Sequence, residues 1–133
     1  MYSRISEYSN LNVNKLKIFK QLETKTIDWS DFEKIDIRVG TIQQAEHFVE
    51  AKKPAYKLII DLGELGKRKS SAQITKLYKT EDLIGKQIMS VINFSPKQIP
   101  NMQSECLILG VIDGDVVTLL TSDKPVKNGL RIA

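Results

Sequence analysis

The chain has 133 residues, of which 41% are hydrophobic and 27% charged, with a net charge of +4. This composition argues against disorder, and the length allows one domain with a modest core. Its longest apolar runs, such as Leu107-Ile108-Leu109, are too short to span a bilayer, and the one cysteine, Cys106, excludes an internal disulfide. A single thiol and an N-terminus interrupted by Asn10, Asn12, Asn14, Lys15 and Lys17 lead us to expect a cytoplasmic protein.

Residues 1–27 are rich in Asn, Lys and Ser and lack Gly and Pro. Leu16, Phe19 and Leu22 recur at helical spacing, so a short amphipathic helix is one reading. A flexible arm and an extension upstream of the biological start codon are two others, and the sequence does not choose among them. The domain is expected over residues 28–133. Ser30-Asp31-Phe32-Glu33 has the spacing of a capping box, predicting one helical turn with Ser30 as the cap and Trp29 and Phe32 plugging a barrel end.

Ile35, Ile37 and Val39 then alternate with Asp36, Arg38 and Gly40, the period of a half-buried strand in which Gly40 suggests a bulge. Tyr56 to Leu62 predicts a second strand, ending at the turn Gly63-Glu64-Leu65-Gly66. Lys67 to Ile74 returns as the other arm of a hairpin. A short helix is expected before Gly85, which stops it. Gln87 to Phe94 is a strand, followed by a rigid loop marked by Ser95-Pro96 and Ile99-Pro100. Cys106–Ile112 and Val116–Leu120 form a hairpin around Asp113-Gly114, and Asn128-Gly129 sets a last turn. The pattern is all-β: a five-stranded Greek-key barrel of the oligonucleotide-binding (OB) type, with a short helix between strands 3 and 4.

The wording of four segments narrows this further. Asp31-Phe32-Glu33-Lys34-Ile35-Asp36-Ile37-Arg38-Val39-Gly40 resembles the opening of the tRNA-binding domain family. Ser70-Ser71-Ala72-Gln73-Ile74 is similar to its central signature, and Asn93-Phe94-Ser95-Pro96-Lys97 to its Asn-Phe/Leu-x-Pro-basic loop. Met102-Gln103-Ser104-Glu105-Cys106-Leu107-Ile108-Leu109-Gly110 is similar to its closing strand. The four matches stand in that family's order and spacing, and the short total length resembles its free-standing CsaA type rather than a synthetase appendage. The resemblance implies tRNA binding, a homodimer and, for the CsaA type, an export-chaperone role in protein secretion, with peptide held near the dimer cleft. Ser95 stands where the family often has a second proline.

Lys67, Arg68, Lys69, Lys76 and Lys79 lie in a segment without an acidic residue, a composition suited to neutralising phosphates or to a plainly solvated face. Arg68 offers a bidentate fork and the lysines offer point charges, although on a strand Arg68 points away from Lys67 and Lys69. Lys76 and Lys79 are expected to extend the patch from the following helix. Ser71 and Gln73 supply uncharged donors and acceptors for RNA, or else satisfy nearby backbone. Lys97 completes the RNA-binding set of Lys67, Arg68, Lys69, Ser71, Gln73 and Lys76. Asn93 is expected to brace the Pro96 turn.

Phe94, Ile99, Met102, Ser104 and Glu105 are the peptide-binding candidates, with core or dimer contacts as the alternative. Glu105 is expected to pair with a base such as Lys97 or to support the loop. With Tyr78 alone in the basic segment, recognition by shape and backbone is favoured over stacking on aromatics. No zinc spacing, phosphate-binding glycine loop or catalytic constellation is present. His47 reads as a surface residue and Cys106 as a buried, inert thiol. A non-enzymatic binding protein without cofactor or metal is expected. Its partner is tRNA, or alternatively unfolded or precursor polypeptides, with no membrane insertion.

Overall fold

The computed structural model describes residues 25–133. The possible helix around Leu16, Phe19 and Leu22 lies outside them. The chain divides into two units, Met1–Lys34 and Ile35–Ala133. In the first, helix α1 (Trp29–Glu33) begins one residue before the expected Ser30 cap. Asp28 is the N-cap, and its backbone N–H donates to Asp31 Oδ2 over 3.0 Å, so Asp31 performs the reaching-back expected of Glu33. A carboxylate at a helix N-terminus also meets the positive end of the peptide dipoles. The Trp29 and Phe32 rings meet at 5.8 Å.

The second unit is a strongly coiled sheet around one long strand. Strand β1 (Ile37–His47) pairs antiparallel with β4 (Gln87–Val91) through Ile37–Thr41, and with β2 (Tyr56–Asp61) through Thr41–His47. A strand divided between two partners must bend, and the register shift between Ile42 and Gln44 takes up the bend. The bulge therefore lies beyond Gly40, where the sequence placed it. Gly40 serves close packing instead: a Cβ there would stand 2.6 Å from Ile60 Cγ2 and 2.8 Å from Leu62 Cδ2.

Strand β3 (Lys67–Ala72) follows a 3-10 turn over Gly63–Leu65 and pairs with β2 in simple register, from Asp61↔Lys67 to Tyr56↔Ala72. Helix α2 (Thr80–Leu83) lies between β3 and β4, as expected, and Gly85 follows it at a φ of 89°. Lys76 and Lys79 precede this helix rather than lying on it. The segment expected as a rigid loop is a hairpin, β5 (Lys97–Ile99) with β6 (Met102–Ser104), which turns at Asn101 in the left-handed region (φ 63°). Asparagine tolerates that conformation better than most side chains.

The fifth barrel strand is interrupted into β7 (Leu107–Ile108), paired with β4, and β8 (Gly110–Asp113), paired with β9 (Val116–Leu119). Strand β10 (Arg131–Ile132) returns to β1 at Ile37 and Arg38.

Two hydrogen bonds nearly close the barrel. Glu105 N–H donates to the Lys69 carbonyl (2.8 Å), and Lys69 N–H donates to Glu105 Oε1 (2.9 Å). They join β3, at one end of the sheet, to the residues leading into β7, at the other. Inside sit Ile42, Tyr56, Leu58, Ile60, Leu62, Ile74, Leu83, Ile88, Cys106 and Leu119. Each large aliphatic side chain removed from water in this way contributes about 1.5–3 kcal/mol. The architecture is the expected OB-type barrel.

The ends are tied by polar contacts. Arg38 donates to Asp36 (Nε–Oδ1 2.6 Å) and to the Gly129 carbonyl (3.0 Å), while Asp36 N–H donates to Asn93 Oδ1 (3.0 Å). Asn93 thus holds the start of β1, a long-range contact beyond the local brace expected of it. Gln87 exchanges two hydrogen bonds with the backbone of Val126. Gly129, at φ 91°, leaves room for the Leu62 carbonyl, which a Cβ would approach to 2.6 Å.

Candidate nucleic-acid interface

The pleat of the β2–β3 hairpin sorts the basic segment. On the inner side Tyr56, Leu58 and Ile60 face the core, so their partners Ala72, Ser70 and Arg68 share that side. Ser70 is buried, and its hydroxyl donates to the Cys106 carbonyl over 2.8 Å. Arg68 is half-buried. On the outer side stand Lys67, Lys69 and Ser71, opposite Asp61, Ile59 and Lys57.

Adding β1 extends this face into two cross-strand rows. Gln44, Ile59 and Lys69 form one, and Glu46, Lys57 and Ser71 form the next. Directly opposed residues in such rows have Cβ atoms roughly 4.5–5.5 Å apart, close enough for one ligand to touch several of them.

An open groove of about 440 Å³ lies on these rows. Ile59 and Ala45 contribute to its floor, Ile84 comes from the turn after α2, and Asn101 and Met102 come from the tip of the β5–β6 hairpin. The Lys57 ammonium stands 3.6 Å from Glu50 and 4.7 Å from the centre of the Phe48 ring. Hydrogen bonding to backbone, ahead of the nearby Lys57 charge, holds the Glu50 carboxyl below the usual carboxylate range. The Lys57–Glu50 pair thus ties β2 to the β1–β2 connection at the edge of this groove. Among the described residues, Lys69 and Glu46 form no salt bridge.

The other expected RNA residues are dispersed. Lys76 forms an ion pair with Asp115 at 3.6 Å, beside the β8–β9 turn. Gln73 is exposed beyond the end of β3. Lys97 begins β5 opposite Ser104 and lines a different cleft. Tyr78 is committed to structure: its hydroxyl accepts from Leu119 N–H (3.0 Å), and its carbonyl accepts from the Tyr56 hydroxyl (2.7 Å).

The peptide candidates also divide. Phe94 and Ser104 line the second cleft, of about 460 Å³, with Lys97, Cys106 and Leu107. Phe94 is 59% exposed there and Leu107 48%. Met102 belongs to the first groove, and Ile99 pairs with it across the hairpin. Glu105, expected to meet Lys97 or support the loop, closes the barrel through the backbone of Lys69. Burial pushes the Cys106 thiol above its ordinary pKa, although Ser90 and Ser70 hydrogen bonds partly oppose this. His47 is exposed and meets the Tyr56 ring edge-on at 5.1 Å. No group of His, Cys, Asp or Glu among the described residues could hold a metal ion. No helix among them is long and apolar enough to cross a membrane.

Lys57, Glu46 and Gln44 were not singled out from the sequence, because they lie on other strands than the basic run. Neither were Lys52 and Lys53, exposed in the β1–β2 connection. The alternation of β2 places Lys57 and Ile59 on one outward face. The register shift after Ile42 inverts the alternation of β1, so Gln44 and Glu46 join that face only through the pairing.

Comparison with known proteins agrees with this architecture. A structure of the chaperone CsaA from Picrophilus torridus is 54% identical, covering 81% of this chain and all of that one, with a TM-score of 0.77. The CsaA structure from Bacillus anthracis is 47% identical, covering 81% and 99%, with a TM-score of 0.78. The methionine–tRNA ligase of Methanocaldococcus jannaschii is 40% identical over 125 residues, which is 89% of this chain and 19% of that enzyme. The chain spans about a fifth or less of the length of the curated ligases first matched. Residues 37–131 match the family described as "Putative tRNA binding domain". The chain thus belongs to the tRNA-binding domain family, in the form taken by the CsaA proteins.

Proposed function

We propose that the chain binds tRNA without chemically altering it, through the outer face of β1, β2 and β3. The observation that carries this reading is the alignment of Lys67 and Lys69 on one solvent-facing side of β3, continuous with a groove on a family-typical barrel face. Lys52 and Lys53, in the adjoining connection, extend the positive surface. Arg68 and Lys76 are secondary, because one is half-buried and the other paired. Phosphate contacts position an RNA and release counterions.

The test is filter binding of several purified tRNAs at a series of salt concentrations. Replacing Lys67 and Lys69 with alanine should weaken all of the tRNAs alike. It should also make the dependence of log affinity on log salt shallower by somewhat under one unit per lost contact. Unchanged affinity and slope in the folded double variant would remove this face from the RNA site.

A second reading is supported by the Phe94–Leu107 cleft. Exposed apolar side chains beside Lys97 and Ser104 suit an extended or unfolded polypeptide, and two of the similar structures carry the name chaperone. Under it the protein is a cytoplasmic homodimer that serves secretion. Phe94→Ala should then lower the affinity for an unfolded polypeptide while leaving tRNA binding intact. Loss of tRNA binding instead would assign the cleft to RNA.

A further inference from the structure

A surface that meets phosphates has no evident use for a carboxylate, yet Glu46 lines the groove only two residues from Gln44 on the same face of β1. Its cross-strand partner Lys57 forms its ion pair with Glu50. Among the described residues Glu46 forms no salt bridge and the Gln44 side chain makes no hydrogen bond, so both keep hydrogen-bonding capacity for a ligand. Between this polar edge and the ammonium of Lys69 lies Ile59, in register with Gln44 on one side and Lys69 on the other. Acceptor edge, apolar platform and cation therefore follow one another across three strands. Ile84 and Met102 wall the platform. The volume falls within the range of roughly 300–1,000 Å³ typical of small-ligand sites.

We propose that this groove takes one unstacked nucleobase of the RNA, selected for an exocyclic amino group. The inference rests on the RNA-binding reading and adds a base-reading subsite to it. In this arrangement the base lies on Ile59 between Ile84 and Met102, its phosphate meets Lys69, and its amino edge donates to Glu46, with Gln44 alongside. Cytosine offers an N4 amino donor there. Uracil offers the O4 acceptor, which a carboxylate repels. A carboxylate accepting from the cytosine N4 amino group is an established mode of base readout. The walls are aliphatic, so the base is held by apolar contact and edge complementarity without aromatic stacking. A paired base cannot enter, which directs the subsite to a loop or a single-stranded end.

The test uses the full chain and two fluorescent hexaribonucleotides of equal charge, hexacytidylate and hexauridylate, measured by anisotropy beside a purified tRNA. The wild-type chain should bind hexacytidylate about tenfold more tightly, the scale of one charge-assisted hydrogen bond gained against one repulsion. Glu46→Gln removes the charge and supplies an amide donor as well as an acceptor. It should bring the two oligonucleotides within about twofold of each other, and the salt dependence of tRNA binding should keep its slope because no phosphate contact is lost. Ile59→Ala should weaken both oligonucleotides together.

Equal binding of the two oligonucleotides by the wild-type chain, or no binding of either beside intact tRNA binding, would overturn the base subsite and leave the tRNA reading standing. A cytidylate preference that survives in Glu46→Gln would likewise overturn the assignment. Failure to bind tRNA as well would bring down the functional reading on which this one rests.

Discussion

Cys106 shows how a reactive group is made inert by its place in the fold. It is 6% exposed in the core, with Ser70 and Ser90 beside it, and burial disfavours its charged form. Because the thiolate is the nucleophile and the pKa is raised, the native chain carries less thiolate at neutral pH than a free cysteine would. Iodoacetamide at pH 7.5 should therefore modify the native chain far more slowly than the chain unfolded in urea. Similar rates in the two states would show the thiol to be accessible. Gly40 is a second residue whose role is set by its neighbours. Gly40→Ala drives a methyl group into Ile60 and Leu62, and overpacking of this kind costs about 1–3 kcal/mol. The urea midpoint should fall with an unchanged slope. A midpoint equal to that of the wild type would show that the two side chains yield freely.

Strands and hairpins carry the constraint that single residues cannot. The barrel's nearly closed seam depends on the paired bonds between Lys69 and Glu105, which no strand owns alone. Glu105→Ala removes the acceptor for Lys69 N–H, and a lost hydrogen bond of this kind costs about 1 kcal/mol. Amide exchange at Lys69 should accelerate more than exchange at Leu58 in the middle of β2. Uniform acceleration would mean a global effect instead. Glu50, paired with Lys57, adds a pH dependence to the β1–β2 connection. The folded carboxyl is held below its ordinary pKa, so it favours the native state above the unfolded pKa, and this contribution is lost as pH falls through the lower folded value.

Local signals were legible in the sequence and long-range ones were not. The turns at Gly85 and Asp113-Gly114, the β2–β3 hairpin and the helix before β4 follow from short-range chemistry and appear where expected. The β5–β6 hairpin is the local exception, unread because Pro96 and Pro100 suggest a loop. The Lys69–Glu105 seam and the division of β1 between two partners depend on residues distant in sequence. The basic run illustrates the same limit at the site. Contiguity in sequence grouped Lys67, Arg68, Lys69 and Lys76, whereas the pleat separates Arg68 and Asp115 engages Lys76. Contiguity in space instead joins Lys69 to Ile59 and Gln44.

For the whole molecule, the core cluster runs from Ile42 to Leu119, and the seam and the polar ties at the ends fall within Ile35–Ala133. None of these contacts requires residues 1–27. A chain beginning at residue 28 should unfold cooperatively at the same urea midpoint as the full chain, within about 0.5 kcal/mol, and a non-cooperative transition would make the segment structural. The expected homodimer is a separate matter, argued from the limited core of a barrel this small, which association would stabilise. Phe94, Leu107, Val111 and Ile112 leave apolar surface exposed, much of it on the interrupted fifth strand. Sedimentation at micromolar concentration should show twice the chain mass for the full chain, and a monomer there would defeat the homodimer. Running the truncated chain alongside separates the remaining alternatives. A folded dimer means that the barrels meet through their own strands, whereas a folded monomer assigns the dimer contacts to the N-terminal segment.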